Sequence, residues 1–225
     1  MKRFLTTLGI ALLCLTSFAQ RFDEDWADFG RYAEANASLT KSPLVVFMGD
    51  SITDFWVTQR PSFFTDNDFV GRGISGQTTS KMLVRFRNDV IALHPRIVVI
   101  LAGTNDIAHN LGAISHENSV GNILSMCELA RAHGILPIIC SVTPSHRFFW
   151  RPEVENPAPE IIAFNKVLKA AADTAGIIYV DYHSALAGPG GSFPEEYSKD
   201  GCHPVAAGYA KMEEVILPYI RMALD

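Results

Sequence analysis

The chain has 225 residues, of which 48% are hydrophobic and 19% are charged, and its formal net charge is −5. This composition is typical of a globular protein with a sizeable core, and it excludes a low-complexity or disordered chain. The acidic balance argues against nucleic acid or an anionic membrane as a partner held by bulk charge.

A secretory signal peptide is predicted over residues 1–19. Lys2 and Arg3 form its basic start, a mostly apolar run follows, and the residues ending at Ala19 resemble a cleavage site. The apolar run is too short to span a bilayer, and no later segment reaches that length. We therefore expect residues 20–225 to form a single domain, secreted or periplasmic. Its net charge is −7 once the two basic residues of the leader are removed.

Buried strands and amphipathic helices alternate along the rest of the chain. The predicted strands cover residues 44–48, 69–74, 96–101, 135–142 and 177–180. The predicted helices cover residues 23–37, 78–93, 115–133, 160–175 and 204–224, and the aromatic-rich residues 52–67 are expected to be irregular. This alternation predicts an α/β fold, a three-layer α/β/α sandwich around a five-stranded parallel sheet. Right-handed crossovers then bring the carboxyl end of every strand to one edge of the sheet.

Ser51 directly follows the first strand, at the edge where ligands bind in open α/β sheets. A serine hydroxyl becomes a nucleophile when it has a base, a group that orients the base, and donors for an oxyanion. Asp200 and His203 lie three residues apart on one loop and can supply the orienting carboxylate and the base. Asn105 follows the third strand and Gly76 follows the second, so an amide and a close backbone N–H can join the N–H of Ser51 as oxyanion donors.

Two other sequence patterns do not indicate a binding site or a disulfide framework. Residues 71–76 fit G-x-G-x-x-G, but the next strand does not end in the carboxylate that a dinucleotide site requires, so a tight turn is the better interpretation. Of the four cysteines, Cys14 lies in the predicted leader, and the remaining three are odd in number and lack C-x-x-C spacing, which disfavours a disulfide framework or a zinc site. These three are Cys127, Cys140 and Cys202. Cys202 is interpreted as a packing residue between Asp200 and His203. No metal or cofactor is expected.

Four sequence blocks together resemble the SGNH (GDSL-type) hydrolases: Gly49-Asp50-Ser51, the Gly76 turn, Gly103-x-Asn105-Asp106 and Asp200-x-x-His203. The resemblance implies a serine esterase with Ser51 as nucleophile, His203 as base, Asp200 as its partner, and Ser51, Gly76 and Asn105 in the oxyanion hole. It also implies a flavodoxin-like sheet order, 2-1-3-4-5. Ile52 stands where the GDSL name has Leu. Residues 47–51 and 73–79 are further similar to the platelet-activating-factor acetylhydrolase-like branch.

The substrate is predicted from the surroundings of Ser51. Trp56, Arg147 and Trp150 are candidate substrate contacts, although Trp56 fits core packing equally well, and Asp50 and Asp106 are interpreted as structural. Export, an aromatic and basic loop, and the absence of an obvious lid favour short-chain acetyl esters, on an O-acetylated saccharide. A lysophospholipase, a thioesterase and a non-catalytic carbohydrate-binding protein on a hydrolase scaffold are the alternatives.

Overall fold

The computed structural model describes residues 25–225. The predicted signal peptide and the first two residues of the first predicted helix lie outside the described residues. Five strands are present in this part of the chain: β1 (Val45–Gly49), β2 (Phe69–Gly73), β3 (Ile97–Leu101), β4 (Leu136–Cys140) and β5 (Ile178–Val180). They form a parallel sheet with the order β2-β1-β3-β4-β5, which confirms the predicted fold class and order.

Helices connect and cover these strands. They are α1 (Ala33–Ala37), α2 (Ser51–Gln59), α3 (Pro61–Thr65), α4 (Thr79–Asp89), α5 (Thr104–Ile107), α6 (His116–Ala132), α7 (Ala158–Ala175), α8 (Tyr182–Leu186) and α9 (Ala206–Leu224). Short 3₁₀ turns occupy Ile91–Leu93 and Pro189–Gly191. Among residues 25–225, every helix is too short or too polar to cross a bilayer.

The sheet separates two apolar cores, because alternate side chains of each strand point to opposite faces. In β1, Val46 and Met48 pack with helices α4, α6 and α7, whereas Val45 and Phe47 pack with α2, α3, α8 and α9. All five residues of β3 are buried, as their continuous apolar run predicted. The helices on both faces give the three layers expected from the alternation.

Helix boundaries follow local signals. The Ser115 side chain accepts a hydrogen bond from the N–H of Asn118 at the start of α6, and Gly176 ends α7 with left-handed backbone angles. Helix α9 continues past Pro218 to Leu224, so the proline does not shorten it.

Two predictions about the first third of the chain are wrong. Residues 52–67 are mostly helical rather than irregular: the spacing of Ile52, Phe55 and Trp56 is helical, and their aromatic content concealed it. Of the helix predicted over residues 23–37, the described part, residues 25–37, is helical only in α1, and turns precede it.

Candidate active site

Ser51, His203 and Asp200 meet at the carboxyl edge of the sheet. The Oγ atom of Ser51 lies 3.0 Å from Nε2 of His203, and Nδ1 of His203 lies 2.7 Å from Oδ2 of Asp200. Ser51 is the first residue of α2, and Asp50 caps that helix by accepting a hydrogen bond of 3.0 Å from the N–H of Ile52. The arrangement has the geometry of a hydroxyl, an imidazole and a carboxylate in series.

The loop that carries Asp200 and His203 is folded around the Asp200 carboxylate. Its Oδ1 accepts the N–H groups of Cys202 and His203, at 2.9 and 2.8 Å, and the hydroxyl of Ser198 at 3.2 Å. Burial opposes ionisation of Asp200, but the hydrogen bonds from the backbone and ring of His203 and from Cys202 outweigh it and lower the pKa of Asp200. The carboxylate therefore stays ionised beside the imidazole.

Three groups near the Ser51 hydroxyl are candidate oxyanion donors: the N–H of Ser51, the N–H of Gly76 and the side-chain amide of Asn105. Within the described residues, the N–H groups of Ser51 and Gly76 make no hydrogen bond. Asn105 lines the same pocket, and its Nδ2 lies 3.1 Å from the carbonyl oxygen of Gln77 and 3.3 Å from Oδ2 of Asp50. The structure thus brings together all the residues that the sequence pointed to as nucleophile, base, orienting group and donors.

A buried guanidinium supports the backbone behind this site. Arg85 is fully buried and donates hydrogen bonds to the Gln77 side chain (2.6 Å), the Gly49 carbonyl (3.0 Å) and Asp89 (2.9 Å). Burial lowers the pKa of Arg85. Arg85 connects the end of β1 to the turn after β2, and Gln77 in turn donates to the carbonyl of Ala27. Sequence reasoning missed Arg85 because arginine is rarely fully buried, although its spacing from Met82 and Phe86 places it on the buried face of α4.

The two aspartates interpreted as structural make the contacts expected of them. Asp106 accepts hydrogen bonds from the N–H and hydroxyl of Thr79 and from the hydroxyl of Ser119. Asp50 bonds Ile52 and Asn105, and burial raises its pKa to about 6.

Aromatic side chains form the wall of a small open pocket at Ser51. The rings of Phe55, Phe149 and Trp150 lie 5.2, 6.0 and 5.7 Å from the ring of His203, measured between centroids. The pocket has a volume of about 300 Å³, and Asn110 and Ser75 also line it. Phe55, Phe149 and Asn110 were not among the predicted contacts, since neither loop spacing nor residue type distinguishes them from surface residues.

Two of the three predicted substrate contacts lie outside this pocket. Trp56 is 1% exposed; it stacks on Phe63 and donates its indole N–H to Glu213, so it belongs to the core, and the neighbouring Phe55 faces the pocket instead. Arg147 is exposed, donates hydrogen bonds to the carbonyl of Asp200 and is not among the residues that line the pocket. Trp150 lines the pocket as expected.

Cys202 is buried beside the site and is 1% exposed. Burial raises the pKa of its thiol, so the thiolate that a cysteine nucleophile requires is disfavoured. Its burial in an apolar cluster agrees with the interpretation of Cys202 as a packing residue.

The chain is similar to known proteins both in sequence and in fold. Residues 47–211 match the model of the GDSL-like lipase/acylhydrolase family. Two solved Bacteroides structures are similar: a candidate acylhydrolase from B. fragilis (45% identity, 90% of this chain and all of that chain, TM-score 0.86) and a GDSL-like lipase from B. thetaiotaomicron (43%, 88% and all of that chain, 0.84).

More distant likenesses cover less of the sequence or show only the fold. An uncharacterized lipoprotein of Bacillus subtilis, YqeF, is 35% identical over 80 residues, so the match spans 34% of this chain and 33% of that relative. An acetylxylan esterase from Geobacillus stearothermophilus shares the fold at 18% identity, over 81% of this chain and 95% of that chain, with a TM-score of 0.62.

Proposed function

The chain belongs to the GDSL-like lipase/acylhydrolase family, a family of ester hydrolases, and we propose that it is a serine esterase acting on short-chain, chiefly acetyl, esters through an acyl-enzyme. The observation that carries the proposal is the unbroken series from the Ser51 hydroxyl through His203 to Asp200, with hydrogen-bonding distances of 3.0 and 2.7 Å. Such a series removes the hydroxyl proton as the serine attacks.

The reaction has two halves. Oγ of Ser51 attacks the ester carbonyl while Nε2 of His203 accepts its proton, and the resulting tetrahedral oxyanion collapses to an acyl-serine. His203 gives the proton to the departing alcohol. A water molecule, deprotonated by His203, then attacks the acyl-serine and releases the acid and the Ser51 hydroxyl. Asp200 holds the imidazole tautomer and stabilises its protonated form in both halves.

The oxyanion binds to three donors in this proposal. The N–H groups of Ser51 and Gly76 are open to it, and Asn105 supplies its amide by exchanging the longer of its two bonds, the 3.3 Å contact with Asp50. The N–H groups of Ser51 and Gly76 are fixed in place before the reaction and can stabilise developing charge without reorganisation, and loss of one such donor typically costs about 10²–10³ in kcat.

The pocket supports a short acyl group on a ring-shaped alcohol. Its volume of about 300 Å³ is at the small end for ligand pockets, which disfavours a long acyl chain. Exposed Phe149 and half-buried Trp150 offer flat apolar faces to one side of a sugar ring. The fold shared with an acetylxylan esterase is compatible with an O-acetylated saccharide as substrate. The sequence similarity to the platelet-activating-factor acetylhydrolase-like branch also supports an acetyl ester as substrate.

Export forms part of the proposal. The sequence of residues 1–19 fits a cleaved secretory leader, and a distant relative is a lipoprotein. We propose that residues 20–225 act as one domain outside the cytoplasm. Mass spectrometry of the protein recovered from its natural host tests this: an N-terminus at or near Gln20 is expected, and an intact Met1 would contradict it.

A panel of esters tests the activity. We expect p-nitrophenyl acetate to be hydrolysed faster than the octanoate and the palmitate, and acetylated polysaccharides to release acetate. Ser51→Ala and His203→Ala are expected to lower kcat by about 10⁴–10⁶-fold, and Asp200→Asn by about 10⁴-fold. Stopped-flow measurement of the acetate reaction is expected to show a burst when deacylation is slow.

The same panel separates the alternatives. A rate that rises with acyl chain length would favour a lysophospholipase, and faster turnover of an acyl thioester would favour a thioesterase. If the unaltered protein binds acetylated polysaccharide without hydrolysing any ester, the molecule is a binding protein. Retained hydrolysis in Ser51→Ala would reject the serine mechanism.

A further inference from the structure

The side chain of Asn110 connects the aromatic wall of the pocket to two of the oxyanion residues. Its Nδ2 donates hydrogen bonds to Oδ1 of Asn105 at 2.7 Å and to the carbonyl oxygen of Gly76 at 3.2 Å. Its Oδ1 accepts the indole N–H of Trp150 at 3.0 Å. Both ends of this amide are therefore used, and the side chain lies in the wall of the pocket that contains Ser51.

The orientation of the Asn105 amide decides whether it presents a donor or an acceptor. Its Nδ2 faces two acceptors, the Gln77 carbonyl and the Asp50 carboxyl group, whereas its Oδ1 faces the Nδ2 of Asn110. In the reversed orientation, Oδ1 would face those acceptors and Nδ2 would face a donor, so every contact would be repulsive. Among the described residues, Asn110 provides the only hydrogen bond to Oδ1 of Asn105.

We propose that Asn110 is a positioning residue, which fixes the amide of Asn105 with its N–H group toward the oxyanion and ties that amide to the pocket wall at Trp150. The donation to Oδ1 also polarises the Asn105 amide and strengthens its N–H as a donor. The contact with the Gly76 carbonyl fixes the position of Gly76 relative to Asn105. The effect on rate rests on the proposed function, because it acts through the oxyanion.

Asn110→Asp separates this role from simple packing. Aspartate has nearly the same shape and keeps an acceptor for Trp150, but when ionised it cannot donate to Asn105 or Gly76. We expect Asn110→Asp and Asn110→Ala each to lower kcat for p-nitrophenyl acetate by about 10–100-fold, less than loss of a whole donor, with KM changed by less than about twofold. Trp150→Phe, which keeps a ring and removes only the N–H bonded to Oδ1 of Asn110, leaves the donation to Asn105 intact and is expected to lower kcat less than either variant.

A double-mutant cycle with Asn105→Ala tests whether Asn110 acts through Asn105. Once the Asn105 amide is absent, adding Asn110→Asp should lower kcat by no more than about twofold, because residues that act as a unit are not additive. Urea unfolding of each variant, monitored by fluorescence, confirms that folded proteins are compared. Asn110→Asp has the isosteric side chain and keeps the cycle informative if Asn110→Ala does not fold.

The possible outcomes test the positioning role of Asn110 and the proposed function separately. Full additivity in the cycle, or wild-type kcat in Asn110→Asp, would overturn the positioning role while leaving Ser51-dependent hydrolysis and the proposed function intact. Absence of Ser51-dependent hydrolysis in the unaltered protein would reject the proposed function and this inference with it. A loss in Asn110→Asp that disappears in the Asn105→Ala background supports both.

Discussion

The carboxyl group of Asp50 is buried next to Ser51, and burial raises its pKa from 3.8 to about 6. Between these two pKa values the folded protein holds a proton that the unfolded chain has released. Stability must therefore fall as pH rises through this interval. A shift of this size corresponds to about 3 kcal/mol of unfolding free energy, present below pH 4 and lost above about pH 6.

Asp50→Asn tests this linkage. The amide keeps an acceptor for the N–H of Ile52 and does not titrate. We expect the unfolding free energy of the wild type, minus that of Asp50→Asn, to decrease between pH 4 and pH 6.5 in urea titrations. A difference that is constant with pH would show that Asp50 titrates normally in the folded state.

Single residues also show where sequence reasoning reaches its limit. Four short motifs were sufficient to indicate Ser51, Asp200 and His203: three follow strands, whose carboxyl ends a parallel sheet brings together, and the fourth lies on the loop before α9. Phe55 and Trp56 are adjacent aromatics on one helix, and only the packing of that helix decides which one faces the pocket. Asn110 follows α5 in a stretch without periodicity, and its importance arises from partners distant in the sequence.

At the scale of elements, helix α2 lies directly on strand β2 because Gly73 has no side chain. A Cβ atom at Gly73 would lie 2.3 Å from the N atom of Asp54 and 2.5 Å from the carbonyl oxygen of Asp50. These are backbone atoms and cannot rotate away. The close approach sets the position of the first turn of α2, which carries Ser51.

Gly73→Ala is therefore expected to lower the unfolding free energy by about 1–3 kcal/mol or more and to lower kcat by displacing Ser51. Gly121→Ala is the matched control: Gly121 lies inside helix α6, and a Cβ atom there would have no neighbour within 4 Å. This control is expected to gain about 0.5–1 kcal/mol with unchanged kcat. Denaturant titration and steady-state kinetics measure both quantities, and equal stability of the two variants would refute the steric argument.

The positions of the strands were predicted more accurately than those of the helices. Mostly apolar runs located the five strands within two residues at every end, because strands buried on both faces have few polar interruptions. Arg72 in β2 is the one charged residue within these strands. Helices α2 and α3 were missed, since aromatic content concealed the helical spacing of α2, and α3 has only five residues. The strand order came from the resemblance to a family, since periodicity alone does not state which strands are neighbours.

For the molecule as a whole, the proposed chemistry requires no metal. Within residues 25–225, no group of three or more His, Cys, Asp or Glu side chains is arranged to hold a metal ion. We expect dialysis against EDTA to leave kcat and KM for p-nitrophenyl acetate unchanged, with a zinc peptidase inactivated in parallel as control. A loss of activity that a divalent cation restores would contradict the proposed mechanism.

The pair Asp200 and His203 is assembled locally, whereas Ser51 stands 152 residues away from His203 in the chain. Helix α9 closes this distance by packing on α2, where the hydroxyl of Tyr209 donates to the carbonyl of Ile52 at 2.8 Å. Contacts between such remote segments require the largest loop closure during folding. Recovery of hydrolysis after dilution from denaturant therefore requires that these two segments have joined, and its rate sets a lower limit on the rate of that closure.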